Sequence, residues 1–534
     1  MRKSNETKFS KYFNLPNPGL RSYFDRVVKG QPEVYRSTFA KGKSTSQVLR
    51  EWLPHLKSLQ QKWPSLFEFE NDLASKVGPM SVMKPLAERM KDIDHYYEDI
   101  KLEQIPISAE AIKHTISMFN KSRGIRVRDQ KHTIENMQMS TNSGSPYFSK
   151  RRTVVDKTYP CNVYLLSDDI QQDLHCVDDD SNTLWYGAAV LGWRGQEGGP
   201  KPTDVKQRVV WMFPLAVNIR ELQVYQPLIE SCQKTGTVPA WISMEAVDKE
   251  ITLLFDSKDP NDLIICTDFS KFDQHFNPVC QEAAKTILSA LLTKDYRSEI
   301  WLNQVFPIKY MIPLAYDYGK IRKGQHGMGS GSGGTNADET LVHKALQIEA
   351  ALSSGSKLNP HSQCLGDDGI LTYPGITVDD VIRSYTSHGL EMNPDKQYVS
   401  KQDCVYLRRW HHQNYRVDGI CVGVYSTCRA LGRLMEQERY YDPDKWNAKM
   451  VALRQLSILE NVKYHPLKEE FVEFCMKRDK YRLGLDIPGF MDNIASEAKQ
   501  ATDLMPDFLG YTKTMQKDVG IENWWIVKYL KSKL

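Results

Sequence analysis

Apolar and polar positions along this chain switch repeatedly between a period of two and a period near 3.6, and its candidate chemistry sits where the periods change. The run Leu263, Ile264, Ile265 predicts a short buried strand that ends in "CTDFSKFDQHFNP" (266–278), with Asp268 and Asp273 five positions apart. The following "QEAAKTILSALL" is helical in period. "KQRVVWMF" (206–213) alternates as a strand does, placing Lys206 and Arg208 on one face ahead of Val209, Val210 and Trp211. In "GQHGMGSGSGGTNADETLVHKALQIEAAL" a Gly/Ser loop runs into a helix whose Leu341, Ala345, Ile348 and Leu352 share a face. "SQCLGDDGILTY" (362–373) sets Gly366, Asp367, Asp368 and Gly369 between two apolar stretches, the pattern of a tight hairpin. Residues 65–135 carry helical periodicity, as do "MVALRQLSILENV" and "LKEEFVEFCMKR" near the C-terminus. The first 60 or so residues are polar and basic with scattered aromatics, as expected of an arm lying across a larger body.

Composition narrows the class. The 534 residues amount to three or four units at roughly 150 residues each, or to one large composite body. Hydrophobic residues at 41% and charged residues at 25% give a globular chain with a sizeable core. The net charge of +4 is mild, so a polyanionic partner has to be met by local clusters. Ten cysteines lie scattered with no C-x-x-C pair, which predicts reduced thiols and a cytosolic setting. No apolar run approaches the roughly 18 to 20 residues of a membrane span, and the first residues lack the apolar core of a signal peptide, so neither anchoring nor export is expected.

Several local clusters offer chemistry. "KSRGIRVRDQK" (121–131) carries five cations, and "STNSGSPYFSKRR" (140–152) is a turn-rich loop followed by Lys150, Arg151 and Arg152, a composition that suits a passing phosphate backbone. Asp178, Asp179 and Asp180 read as solvated like charges. Gly329, Gly331 and Gly334 satisfy G-x-G-x-x-G, yet the polar "DYGKIRKGQH" before them is not the buried strand a dinucleotide fold requires. What remains is a Gly/Ser loop, with Asn336 and Glu339 spaced as a capping box for the helix after it. Asp268 and the Asp367, Asp368 pair, each at a strand tip, could hold two Mg²⁺ ions roughly 3.5 to 4 Å apart for in-line phosphoryl transfer.

Taken together these segments resemble the viral RNA-dependent RNA polymerases. Asp268 to Asp273 resembles palm motif A, Ser330, Gly331 and Thr335 resemble motif B, and Gly366, Asp367 and Asp368 resemble motif C, in matching order and spacing. Lys206 and Arg208 are similar to motif F, Lys396 in "HGLEMNPDK" to motif D, Arg408 and Arg409 in "VYLRRW" to motif E, and "TNSGSPY" to motif G. Within the family, the length and the wording "SGSGGTNADE" look most like the polymerases of picobirnaviruses, with partitiviruses next. One position departs: where the picornavirus-like form of motif B carries an asparagine, this chain has Glu339, and Asn336 directly follows Thr335. That leaves Asn336 or Ser330 as the support for Asp273, with Glu339 capping the helix.

The resemblance implies an α+β right-hand polymerase fold, with fingers, palm and thumb, an antiparallel palm sheet flanked by helices, and a mostly helical thumb. Its implied boundaries are an N-terminal arm and fingers at 1–250, palm at 251–279, fingers at 280–325, palm at 326–420 and thumb at 421–534. It implies template-directed RNA synthesis for viral genome replication and transcription, able to begin without a primer. Two Mg²⁺ ions, with Mn²⁺ as the alternative, would sit on Asp268, Asp367 and Asp368, and Lys396 would act as general acid. Lys206, Arg208, Asp273, Ser330, Gly331, Thr335, Asn336, Arg408 and Arg409 would bind substrate. Implied partners are NTPs, an RNA template and product duplex, and viral capsid protein, with no membrane, in the virion interior and host cytoplasm. Trp524 and Trp525 offer either thumb packing or a stacking platform for a first nucleotide. A reverse transcriptase, a template-independent terminal nucleotidyltransferase and a non-catalytic RNA-binding virion protein remain as alternatives.

Overall fold

The computed structural model describes residues 9–13, 19–166, 173–178, 183–504 and 520–534. Its central element is a four-stranded antiparallel sheet in the order Tyr398–Ser400, Ile264–Thr267, Asp368–Leu371, Gln363–Leu365. The apolar run at 263–265 is continuous because both faces of this sheet are covered. Ile265 and Leu371 join a large core with Leu341 and Ala345 of the helix Thr335–Ser353. Ile264, Cys266 and Ile370 pack on the other side against Val247, Ile251 and Leu254 of the helix Met244–Ser257. Period-two alternation thus sends successive apolar side chains into two different cores.

A second sheet carries the basic strand. Lys206–Met212 pairs antiparallel with Ala189–Gln196, which continues in parallel to Leu314–Asp317 and then to Lys320–Arg322. Three-stranded sheets form at Cys161–Leu166, Asp173–Asp178 and Thr183–Gly187, and again at Asp403–Tyr406, Arg409–His412 and Val424–Tyr425. Asp178 ends a strand, whereas Asp179 and Asp180 lie outside the described residues.

C-terminal to these sheets the chain is helical, as its periodicity predicts. Helices Thr427–Met435, Ala448–Glu460, Lys468–Met476 and Trp525–Lys531 share one core. The N-terminal arm completes that core with Phe39, Val48, Trp52 and Leu56. It is pinned there by Thr45 Oγ1 donating to Glu436 Oε1 at 2.7 Å and Trp52 Nε1 donating to Thr427 Oγ1 at 2.9 Å. Glu70, wholly buried, caps the Thr427–Met435 helix by accepting the Thr427 and Cys428 amides at 2.8 and 3.3 Å. Trp524 is part of the same core, and Trp525 stacks on Tyr529 with ring centres 5.4 Å apart. All ten cysteines are buried thiols. Among the described residues no helix is long and apolar enough to cross a membrane.

Candidate active site

The ladder between the two middle strands fixes the carboxylates. Gly369 pairs with Thr267, so one residue further along each strand brings Asp368 beside Asp268. Asp268 is exposed at its strand end, and its backbone is clamped by one amide side chain. Gln397 Oε1 accepts the Asp268 N–H at 2.8 Å while Gln397 Nε2 donates to the Asp268 carbonyl at 2.9 Å. Gly366 and Asp367 form the two-residue turn of the hairpin, with Gly366 left-handed at φ 57°. The turn is held from behind by the helix Thr335–Ser353: Thr340 Oγ1 accepts the Gly366 N–H at 2.9 Å, and His343 Nδ1 donates to the Gly366 carbonyl at 2.8 Å. The hairpin reading of "GDDG" is therefore realised, and the same hairpin carries Asp367 at its tip and Asp368 beside Asp268.

Asp367 is exposed at the tip, while Asp368 is half-buried and accepts the Leu407 N–H on Oδ2 at 2.8 Å. Burial pushes the Asp368 carboxyl up to about 7. Although both side chains reach solvent, partial desolvation within the cleft raises Asp367, with Asp273 adding to it, and raises Asp268 in spite of Lys396, Lys76 and Lys206. Such a set of partly desolvated carboxylates is short of positive charge. Lys206, Arg208, Lys396 and Arg408 line the same cleft of about 800 Å³ as the three aspartates. Lys206 and Arg208 are both exposed on the alternating face of their strand, as its pattern predicts. The aspartates supply hard oxygen donors of the kind Mg²⁺ and Mn²⁺ take. Among the described residues no three ligating side chains stand close enough to form a finished cluster.

Other expected site residues sit behind the cleft. Ser330 Oγ donates to the Val209 carbonyl at 3.1 Å, and Thr335 Oγ1 to those of Gly329 and Ser332 at 3.3 Å. Gly331 lies so close to the basic strand that a Cβ would fall 1.5 Å from the Trp211 carbonyl oxygen. Asn336 Oδ1 accepts the Trp241 indole N–H at 2.8 Å. Asp273 is half-buried, and it is not a helix-end carboxylate, because Asn277 caps the helix Pro278–Leu291 by accepting the Val279 and Cys280 amides.

Two expectations are corrected. Glu339 caps nothing: the helix begins after Gly334 without a side-chain cap, and Glu339, one turn in, is 5% exposed and hydrogen-bonded to Asp273. Burial, then the Asp273 carboxyl, hold the Glu339 carboxyl well above the usual range, the direction that favours its protonated, donating form. Arg409 faces away from the cleft, where its guanidinium donates to both oxygens of buried Asp248 at 2.8 and 3.1 Å. Arg408 alone of that pair lines the cleft, in a left-handed backbone at φ 60°.

Sequence reasoning missed Gln397, which clamps the Asp268 backbone, and it missed Lys76, Glu197, Arg429 and Arg433, which share the cleft wall. Arg429 and Arg433 both bear on Glu197. Their spacing of four on one helix was a visible signal, while that of Glu197 lies only in the fold.

Residues 78–418 match the family model described as viral RNA-dependent RNA polymerase. The chain is 64% identical over 533 residues to a "potential RNA-dependent RNA polymerase" of a human picobirnavirus (strain Human/Thailand/Hy005102), covering 98% of each. It is similar to the crystal structure of the RNA-dependent RNA polymerase of a human picobirnavirus, with TM-score 0.92, 64% identity and coverage of 98% and 99% of the two chains. An insertion-loop deletion mutant of such a polymerase gives TM-score 0.91 at 62% identity, with the same coverage. The right-hand polymerase architecture expected from the motifs is thus the fold of this chain. With carboxylates on paired strand ends, cations around them and this likeness along almost its whole length, the chain belongs to the viral RNA-dependent RNA polymerases.

Proposed function

We propose that this polymerase copies RNA by two-metal-ion nucleotidyl transfer at Asp268, Asp367 and Asp368, and that it can start a chain without a primer. The observation that carries the first part is the pairing of Thr267 with Gly369, which sets the aspartates at adjacent strand ends in a cleft walled by cations. Divalent cations, Mg²⁺ with Mn²⁺ as the alternative, would on these carboxylates neutralise charge on the transferring phosphate and sharpen the attacking hydroxyl. The chain's own groups do the rest. Lys206 and Arg208 hold the triphosphate, so that the 3′-oxygen meets the α-phosphorus in line with the departing pyrophosphate. Lys396, exposed at the cleft, hands a proton to that leaving group. Asp273, hydrogen-bonded to Glu339, reads the ribose.

Initiation without a primer is supported by a second recess of about 410 Å³, lined by Arg194, Arg408, Arg429 and Arg433, which continues the cleft toward the helix Ala448–Glu460. Arg208 lines it too, so five arginines outnumber the carboxylates Glu197 and Glu438, which pair with Arg429 and Arg194, and the excess positive charge suits the phosphates of an initiating nucleotide. The basic residues near 121–152 suit template entry by phosphate contact. Work in the virion interior and host cytoplasm beside capsid protein is part of this proposal, and ten buried thiols agree with a reducing host cytoplasm.

The test is incubation with a single-stranded RNA, four NTPs and Mg²⁺, with no primer, followed by product sizing. Template-length complementary RNA supports the proposal, and extension that ignores template sequence refutes it. Asp367→Ala should abolish product while RNA binding persists. Loss of binding in step with activity would mean that the residue holds the fold instead.

A further inference from the structure

The turn between residues 327 and 334 contains five glycines, so little in its own covalent structure fixes its shape. Its surroundings do. Gly331 rests on the Trp211 carbonyl of the strand that carries Arg208, and a Cβ at Gly327 would fall 2.3 Å from the carbonyl oxygen of Asp273. The Met328 N–H donates to that same Asp273 oxygen at 2.8 Å. A shift of this turn therefore moves Arg208 and Asp273 together.

One carboxylate outside the cleft holds the turn. Glu221, on the helix Leu215–Thr235, has no exposed surface. Its Oε1 accepts the Gly333 N–H at 3.1 Å, and its Oε2 accepts the Ser332 hydroxyl. Asn218, one turn earlier, donates from one amide group to Glu221 Oε1 at 3.0 Å and to the Gly331 carbonyl at 3.3 Å. Its Oδ1 accepts from Arg151 Nη2 at 2.8 Å, in the basic segment after the 140–149 loop. Burial pushes the Glu221 carboxyl up, and buried Lys309, itself paired with Asp338 at 3.0 Å, acts against that rise. The two carboxyl oxygens of Glu221 face donors from three partners, which a side chain with a single acceptor oxygen would not satisfy.

We propose that Glu221 is a positioning residue for nucleotide addition: it fixes the glycine-rich turn against the Arg208 strand and the Asp273 segment, and Asn218 ties that turn to Arg151. Glu221 touches no substrate. Its influence runs through the Ser332 and Gly333 contacts, so it governs the rate of addition rather than the hold on template.

The inference rests on the polymerase reading, and single-turnover addition of one nucleotide to a preformed template and primer complex separates the two. Template affinity and thermal midpoint are measured beside the rate. Glu221→Gln keeps the shape but removes an acceptor pair, and should slow addition about 10- to 100-fold, the size of effect that a misplacement near 1 Å produces, with template affinity unchanged. Ser332→Ala removes one arm of the contact from a half-buried loop position that leaves the core intact, and should slow addition in the same sense. The double variant should be no slower than Glu221→Gln alone, since both act through one contact. Multiplied losses, a wild-type rate in Ser332→Ala, or rate and template affinity falling together would each overturn the proposal. A wild-type chain that adds no nucleotide would sink the polymerase reading and this inference with it.

Discussion

At the scale of single residues, Glu339 lies buried beside Asp273, and burial, then that neighbour, pushes its carboxyl well above the usual range. A neutral Glu339 is a hydrogen-bond donor that holds Asp273 in one orientation, with the Asp273 oxygens left to accept from a ribose hydroxyl. A site built around such an acceptor rejects a substrate lacking the hydroxyl by as much as 10⁴ to 10⁵-fold, about the largest discrimination a single group gives. Asp273→Ala should therefore slow NTP incorporation far more than dNTP incorporation. Glu339→Gln, still a neutral donor, should keep most of the preference that Glu339→Ala loses. Equal losses on both substrates would assign the pair to holding the loop. The neighbouring arginines divide in the same way. Arg409→Ala strands buried Asp248 without its partner, a loss of about 3 to 5 kcal/mol, and should lower the thermal midpoint while leaving NTP affinity alone. Arg408→Ala should do the reverse, and the two measurements made on both variants decide it.

At the scale of elements, the hairpin shows why some of the site was legible and some was not. Asp-Gly between apolar runs signals a tight turn from local chemistry alone, and a tight turn does form there, but two residues earlier, at Gly366 and Asp367, with Asp368 and Gly369 already in the strand. The register that sets Asp368 beside Asp268 follows from pairing two apolar strands with buried faces, which was also readable. Glu339 was not. Its spacing from Asn336 fits a capping box, but the helix starts at Thr335, so residue 339 faces inward with Thr340 and His343 toward the catalytic turn. Only tertiary packing shows that, as it alone shows Arg409 leaving the cleft for Asp248. The glycine after the aspartates has a comparable origin. A Cβ at Gly369 would lie 2.6 Å from His343 Cε1 and Nε2, so the strand lies against the ring that holds the Gly366 carbonyl. Gly369→Ala should displace that ring and loosen the turn, lowering the rate of addition and the thermal midpoint together. A variant that matches wild type in both would show that His343 can move at no cost.

At the scale of the whole molecule, buried ionisable groups pull stability in opposite directions with pH. Asp368, raised to about 7, favours the folded state at low pH, and that contribution fades as pH rises from its unfolded value near 4 through 7. Histidines act the other way. Burial holds His326, His343 and His411 near 4, below the ordinary 6.5, so the folded chain keeps them neutral where the unfolded chain would protonate them. Their contribution is full above pH 6.5 and is lost as pH falls through 4. His411 isolates the effect. It is wholly buried at the seam between Asp248, Arg409 and the Cys421 carbonyl, which it meets at 3.0 Å. Arg409 opposes its protonation and Asp248 favours it, with burial the larger influence. Because the carboxyls of the opposite sign are common to both proteins, the informative quantity is the thermal midpoint of His411→Gln minus that of wild type. Above pH about 6.5 that difference should be constant and negative, the loss of packing and of one hydrogen bond. Below it the difference should shrink steadily, since only wild type has a histidine at 411 that must shed its proton to fold, while His326 and His343 are common to both proteins. A difference that stays flat from pH 7 to about 4.5 would mean that Asp248 wins at this seam and that His411 is charged in the folded polymerase.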